Sequence, residues 1–246
     1  MRFRVISLRS SAFRIGAVVM LVLSAILFLL SRIVTASPPA STPIAVYRVQ
    51  TAQRAMSLTV NVVWGTEYVP ILLQEFRQAG VHATFMVGGA WAASHPAILK
   101  TMVQDGMEIG NHGWNHRHPN TLSQAEITGD LASTNRMVQK IVGVSPKVYA
   151  PPYGEFNRVG LRAAASLGMP LVMWTIDTID WRPTSSAAYM VDKVLAQAAP
   201  GAIVLMHPTD RTAMALPRII AGLKRRGYQL VSVSRLITLG IPRSDS

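Results

Sequence analysis

"APGAIVLMHP", residues 199–208, sets a glycine ahead of a wholly apolar run that ends on a histidine. Glycine stops a helix because it enters the left-handed region without a Cβ clash, and the short apolar run behind it reads as a strand buried on both faces. The same junction recurs in "QDGMEIGN" at Gly106, "VGVSPKVYA" at Gly143, "SLGMPLVMW" at Gly168 and "RRGYQLVSV" at Gly227. Upstream, "EYVPILLQEFRQAG" (67–80) puts Val69, Leu72, Leu73 and Phe76 on one helical face and stops at Gly80, after which "ATFMV" (83–87) follows as a strand. "SQAE" (123–126) is a capping box that opens another helix. With "LTVNVVWG" (58–65) as the first, seven strand-like segments alternate with helices, the pattern of parallel strands covered by helices. No glycine-rich dinucleotide fingerprint follows the first strand, which favours an α/β barrel of βα units over an open doubly wound sheet. In such barrels the chemistry lies at the C-terminal ends of the strands.

Reactive side chains stand there. After strand three, "GNHGWNH" (110–116) places His112 and His116 four apart, so that two imidazoles on one turn can converge on a single cation such as Zn²⁺. Trp114 stands between them, and His118 follows as a surface-loop histidine or a third ligand. After strand four, "APPYGEFN" (150–157) is a rigid loop from which Tyr153 can face a cleft, or an ordinary entry to a helix. After strand five, "TIDTIDW" (175–181) brings two carboxylates and a tryptophan, and a buried carboxylate needs a partner. His207, at the end of strand six, supplies one: with Asp177 or Asp180 it forms a carboxylate-oriented general acid.

The N-terminus has a different character. Residues 1–14 carry Arg2, Arg4, Arg9 and Arg14 and no acid, and residues 15–31 run without a charge. Basic residues ahead of an apolar run hold the N-terminus inside and send the rest outward. Residues 1–36 therefore read as a signal peptide or a retained membrane anchor, 37–55 as a Pro/Ser/Thr-rich linker, and 56–240 as one extracytoplasmic domain, secreted or held by a single pass. The chain has no cysteine, which excludes thiol catalysis, cysteine-ligated metal and disulfide staples. Without the five arginines that precede residue 33, 19 basic residues face 12 acidic ones, a net of +7 that favours anionic cell-surface polymers. The basic residues are dispersed and no nucleic-acid module accompanies them, so nucleic acid is not an expected partner.

Taken in order, these motifs resemble the NodB-homology polysaccharide deacetylases (carbohydrate esterase family 4), in particular the sporulation-type branch whose first strand reads T-F-D-x-x-W-G. The resemblance runs from about residue 58 to 237 and implies a distorted (β/α)7-type barrel, with metal-assisted removal of N-acetyl groups from peptidoglycan or chitin-like glycans. It implies metal ligation by His112 and His116 and a tyrosine loop at 151–154 that contributes Tyr153 to the substrate site. It also implies Asp180 orienting the general acid His207, Trp181 walling the acetyl pocket and Leu205 touching the acetyl methyl. Zinc is the ion so implied, with cobalt or manganese as alternatives.

Two family motifs are changed, at three positions. The first motif of the family supplies a catalytic base and a metal ligand, both aspartates, and here they fall on Asn61 and Val62. The family's arginine ahead of the tyrosine loop, which pairs with that base, falls on Ala150. An amide can hold a water but cannot take its proton, and loss of a positioned base costs about 10²–10⁴ in rate. Two expectations follow: a hydrolase rewired through Glu67 or His118, its metal weakened by Val62, or a glycan-binding protein that neither hydrolyses nor needs a metal.

Overall fold

The computed structural model describes residues 11–34 and 43–244, which fall into two units, one ending at Thr42 and one from Pro43 onward. In the first, helix α1 (Ser11–Val34) carries exposed Met20, Leu21 and Leu27. Among the described residues no helix is long and apolar enough to cross a membrane. Of the linker expected over 37–55, residues 37–42 lie outside the described residues.

The second unit begins with β1 (Ala45–Val46), β2 (Arg48–Gln50) and β3 (Ala55–Val62), followed by α2 (Val69–Ala79), β4 (Thr84–Val87), α3 (Gly89–Ser94), α4 (Pro96–Gln104) and β5 (Glu108–Asn111). Its second half runs α5 (Gln124–Val142), α6 (Arg158–Ser166), β6 (Leu171–Val172), β7 (Ile176–Asp177), α7 (Ala187–Gln197), β8 (Ile203–Met206), α8 (Asp210–Arg225), β9 (Gln229–Leu230), α9 (Val233–Ile237) and β10 (Ile241–Arg243). Strands β5, β4, β3, β8 and β7 lie side by side in that order, all parallel, and β9 pairs with the start of β3. Single-residue parallel bridges through Tyr149 connect Asn111 to Leu171, and β6 pairs in turn with β1. The result is the α/β, helix-covered parallel arrangement, with its ring distorted where strands shrink to one or two residues.

The differences from the sequence reading have local causes. Strand four survives only as Tyr149, and strand five is split into β6 and β7. Pro146, Pro151 and Pro170 remove backbone donors along this stretch, so the ladder cannot extend. Residues 45–50, expected to be linker, instead form β1 and β2, and β2 closes an antiparallel pair with β10. Gly201 was expected to stop a helix, yet α7 ends at Gln197 and is capped by Ala198, ahead of it. Its backbone lies against β2: a Cβ there would sit 1.7 Å from the Val49 carbonyl oxygen, and its φ is +79°. The other junctions behave as read, with Gly80 and Gly143 capping α2 and α5 in the left-handed region and the Ser123–Glu126 capping box closed in both directions.

Strand β3 positions the site. Side chains alternate across a strand, and Leu58, Val60 and Val62 join Phe76, Phe85, Val204 and Leu216 in the main core under the helices. The alternate face turns inward: Ala55 packs with Met86, Val172 and Ile203. Ser57 donates to the Val231 carbonyl (2.6 Å) and Thr59 to the Val204 carbonyl (2.8 Å). Asn61 is next in that inward row, at the C-terminal end. Val62 therefore faces the helices, with no exposure at all.

Candidate active site

A cleft of about 410 Å³ opens at the C-terminal ends of the strands. Asn61, His112, His116, Tyr153, Trp181, Leu205 and His207 all line it, and Asp180 lies buried behind His207. Glu67 is not among the lining residues. His118 is on the rim, stacked on the Tyr153 ring at 3.9 Å, with its Nδ1 3.1 Å from both carboxylate oxygens of Glu155. A larger, shallower groove of about 620 Å³ follows α5; Trp114 and Arg117 border it, so Trp114 faces away from the cleft.

Among the described residues three non-glycine residues have positive φ, and all belong to loops around this cleft: His116 (52°), Tyr153 (59°) and Ile179 (56°). Such backbone persists only where neighbours over-determine it. The histidine loop is held by Asn111, whose side chain accepts from the Gly113 amide (2.8 Å) and donates to the Leu131 carbonyl (2.9 Å). Asp130 holds it too, accepting from the Trp114 amide (2.7 Å) and from Arg117 (2.9 Å). The Ile179 turn is held by Asp177, whose carboxylate accepts from the Ile179 amide at 2.7 Å. Asp177 is thus occupied with its own loop, and Asp180 is the partner of His207.

Asp180 has no exposure and accepts three hydrogen bonds: from His207 Nδ1 (2.8 Å), the His207 amide (2.5 Å) and the Thr212 hydroxyl (2.6 Å). This fixes the imidazole with Nε2 as its remaining nitrogen, the posture of a general acid. Thr212 was not singled out in the sequence; a threonine at the start of a helix reads as a cap residue, and nothing local marks its second role. Trp64, seen in the sequence only as part of a turn, stacks on the His207 ring at 5.5 Å and 21°.

On the opposite side, His112 is buried and its Nδ1 donates to the Ala150 carbonyl at 2.7 Å, which leaves Nε2 toward the cleft. A ring nitrogen so anchored is how proteins orient metal-binding histidines. Its ring lies 5.1 Å from that of His116. A catalytic zinc takes three protein ligands, and among the described residues no three histidine, aspartate, glutamate or cysteine side chains come together. The donors are two imidazoles and an amide, with Val62 turned to the core, so these residues do not complete the implied metal site. Asn61 is 4% exposed and its Oδ1 is buried without a hydrogen-bond partner.

Burial, above all, pushes the His112 pKa down to about 3, against the Ala150 hydrogen bond, and burial likewise lowers His116, helped by the charges of His207 and His118. An unfolded histidine titrates near about 6.5. Below that pH the unfolded chain takes up a proton that folded His112 refuses, so stability is full above about 6.5 and declines as pH falls toward 3, by about 1.4 kcal/mol per pH unit for one proton. The thermal midpoint of the metal-free domain should therefore fall between pH 6.5 and 4.5, and His112→Gln should flatten the decline. A slope unchanged by that substitution would place the proton uptake elsewhere.

Residues 48–172 match the family described as polysaccharide deacetylase. The chain is similar to the Bacillus subtilis (strain 168) protein YlxY, 36% identical over 195 residues, 79% of this chain and 61% of that one. It spans less than two thirds of that relative's length. Its identity to the peptidoglycan-N-acetylmuramic acid deacetylase PdaA of the same organism is 32% over 197 residues, 78% of this chain and 75% of PdaA. Among solved structures, it superposes on a CE4 family pseudoenzyme from Bacillus anthracis with a TM-score of 0.76 and 36% identity, covering 79% of this chain and 69% of that one. A mutant of that pseudoenzyme, described as having restored enzymatic activity, superposes with a TM-score of 0.77 and 35% identity, over 79% of this chain and 71% of that one.

Proposed function

We propose, for a chain that belongs to the polysaccharide deacetylase family, that its cleft binds N-acetylated wall glycan, peptidoglycan or chitin-like, without hydrolysing it. The observation that carries this reading is Asn61, buried at the base position with an unpartnered carbonyl oxygen. Hydrolysis of an acetamide needs a group that removes a proton from water. Neither nearby carboxylate stands at the Asn61 position: Asp177 lines the cleft from the Ile179 turn with its Oδ1 held by the Ile179 amide, and Glu67 is outside. Zinc, cobalt or manganese would be held by His112 and His116 and would supply Lewis acidity there, less tightly held than with a third ligand. His207 and Leu205 are then read as contacts to the acetamido group, with Tyr153 and Trp181 as contacts to the sugar.

Export of the domain, by a cleaved leader or a retained single-pass anchor, rests on the arginine-led apolar run at the N-terminus. The net positive charge suits anionic polymers of a cell surface. A second reading, residual hydrolysis, is favoured by one observation: the Asp180, His207 and Thr212 network is complete. The related mutant described as having restored enzymatic activity supports a pocket of this kind being recoverable for chemistry by substitution.

The test is direct. The purified domain, given Zn²⁺ or Co²⁺ and N-acetylated glycan oligomers, is expected to release no acetate, while its binding to peptidoglycan fragments survives chelation. Acetate release by the unaltered protein would make it an enzyme, and binding lost on chelation would restore the metal to a central place.

A further inference from the structure

The groove of about 620 Å³ along α5 lies outside the cleft, and its floor contains a residue that the fold does not ask for. Glu126, Gly129, Ser133, Arg136 and Lys140 line it at helical spacing, so it follows α5 for about 21 Å. Gly129 lies inside the helix, where glycine is a poor helix former. It is exposed, its φ is not positive, and a Cβ there would meet nothing within 4 Å. Neither a crowded neighbour nor a left-handed backbone accounts for it. What the missing side chain does is leave helix backbone open on the groove floor, where another chain can approach closely.

The charges along the groove are sorted by position. The acids belong to the N-terminal half of α5 and are engaged within the protein. Asp130 uses both oxygens, one for the Trp114 amide and one for Arg117, and Glu126 accepts from the Ser123 amide (2.8 Å) and hydroxyl (2.7 Å). The cations Arg136 and Lys140 stand in the other half, with Arg136 ten residues, or about 15 Å, from Glu126. Arg136 donates to the Ser133 hydroxyl (3.0 Å), and among the described residues neither cation has a carboxylate partner. Lys140 suits the last turn of a helix, but Arg136 lies a turn earlier, where the dipole gives no reason for it. Trp114 borders the same groove, half-buried and fixed: a Cβ on Gly89 would fall 2.3 Å from its Cε3, so only glycine lets the indole sit against the start of α3.

We propose that this groove holds a carboxylate-bearing glycan chain. Sugar carboxylates pair with Arg136 and Lys140, a pyranose ring lies against Trp114, and the chain passes over the bare backbone at Gly129. The guanidinium fork matches a carboxylate in two contacts. The length of the groove selects a chain over a single sugar, and the aromatic wall selects a chain of rings over a ringless polyanion. This site is separate from the cleft; it rests on the reading of the net positive charge as suited to anionic polymers, and locates it.

The experiment is calorimetric titration of the full chain with an octamer of galacturonic acid, its fully methyl-esterified form, a polyphosphate of equal charge, and chitotetraose. The proteins are wild type, the double variant Arg136→Gln/Lys140→Gln, and Gly129→Leu. The wild type is expected to bind the acidic octamer at least about tenfold more tightly than the ester or the polyphosphate. The double variant should lose about tenfold or more in affinity for it, the worth of one charge-assisted hydrogen bond. Gly129→Leu should act in two opposite directions. Leucine is the better helix former and has room, so the thermal midpoint should rise by about 2–4 °C, while the octamer binds at least about tenfold more weakly. A position with only a structural role would move the midpoint alone. Chitotetraose carries no carboxylate, reports on the cleft, and should bind all three proteins alike. The inference is overturned by a wild type that does not bind the octamer, that binds the ester or the polyphosphate equally well, or whose affinity either variant leaves unchanged. Failure of chitotetraose to bind overturns the cleft reading alone, and the octamer results still decide this one.

Discussion

Asn61→Asp alone is expected to turn the domain into one that releases acetate from N-acetylated glycan oligomers in the presence of zinc, by about 10²–10⁴ over the unaltered protein, the usual worth of a positioned base. The change is isosteric and falls on an inward-facing position at the end of β3. It sets a carboxylate in the same cleft as His112 and His116, raising the set of strong donors from two to three, and opposite a His207 already fixed by Asp180. Its difficulty is electrostatic. The family's arginine that neutralises the base is Ala150 here, 4% exposed and packed in the inner core. An unpaired carboxylate in that setting is destabilising by about a few kcal/mol. The variant should therefore melt lower than the parent without metal, and zinc should raise its midpoint by more than it raises the parent's. Acetate release together with this metal-dependent rescue is the expected result. A variant that binds zinc yet releases no acetate would show that the base is not all the cleft lacks, and that the shape around Trp64 or Ala150 blocks the reaction.

The fold was legible because it is written in long-range repetition. The glycine stops at Gly80 and Gly143, the apolar face of α2 and the capping box of α5 each follow from a few adjacent residues, and each is where the sequence puts it. What failed to show was whatever depends on a partner far along the chain. Strands β1 and β2 are short, and their pairing with β6 and β10 joins residues more than a hundred positions apart, so no local pattern distinguishes them from a tether. Gly201 looks like any other helix-stopping glycine, but the close approach of Val49 is what demands it. In the site, the motif residues could be named because their spacing is distinctive. Thr212 and Trp64 could not, because their roles exist only once β8 and α8 bring them against Asp180 and His207. The sequence pairs Asn61 and Val62 as joint losses of one motif; the strand separates them, one facing the cleft and the other the core.

That separation gives the second large effect. Val62→Asp is expected to destabilise the domain by about 3–5 kcal/mol, from the lost apolar burial of valine together with the cost of placing a carboxyl group where no donor waits for it. Val62 has no exposure, belongs to the cluster that includes Val60, Val87 and Phe76, and lies in register opposite Val87 on β4. Against a typical stability of about 5–15 kcal/mol, such a loss leaves little folded margin. The double variant Asn61→Asp/Val62→Asp should accordingly yield less soluble protein and less acetate than Asn61→Asp alone, although a motif comparison ranks it as the fuller restoration. Chemical denaturation of the single Val62→Asp variant measures the cost directly. A midpoint close to the parent's, with zinc bound more tightly than by Asn61→Asp, would mean that the strand end can twist to bring this side chain into the cleft. Otherwise the outward set of β3 makes position 62 a core residue, and any recovery of chemistry has to come through position 61.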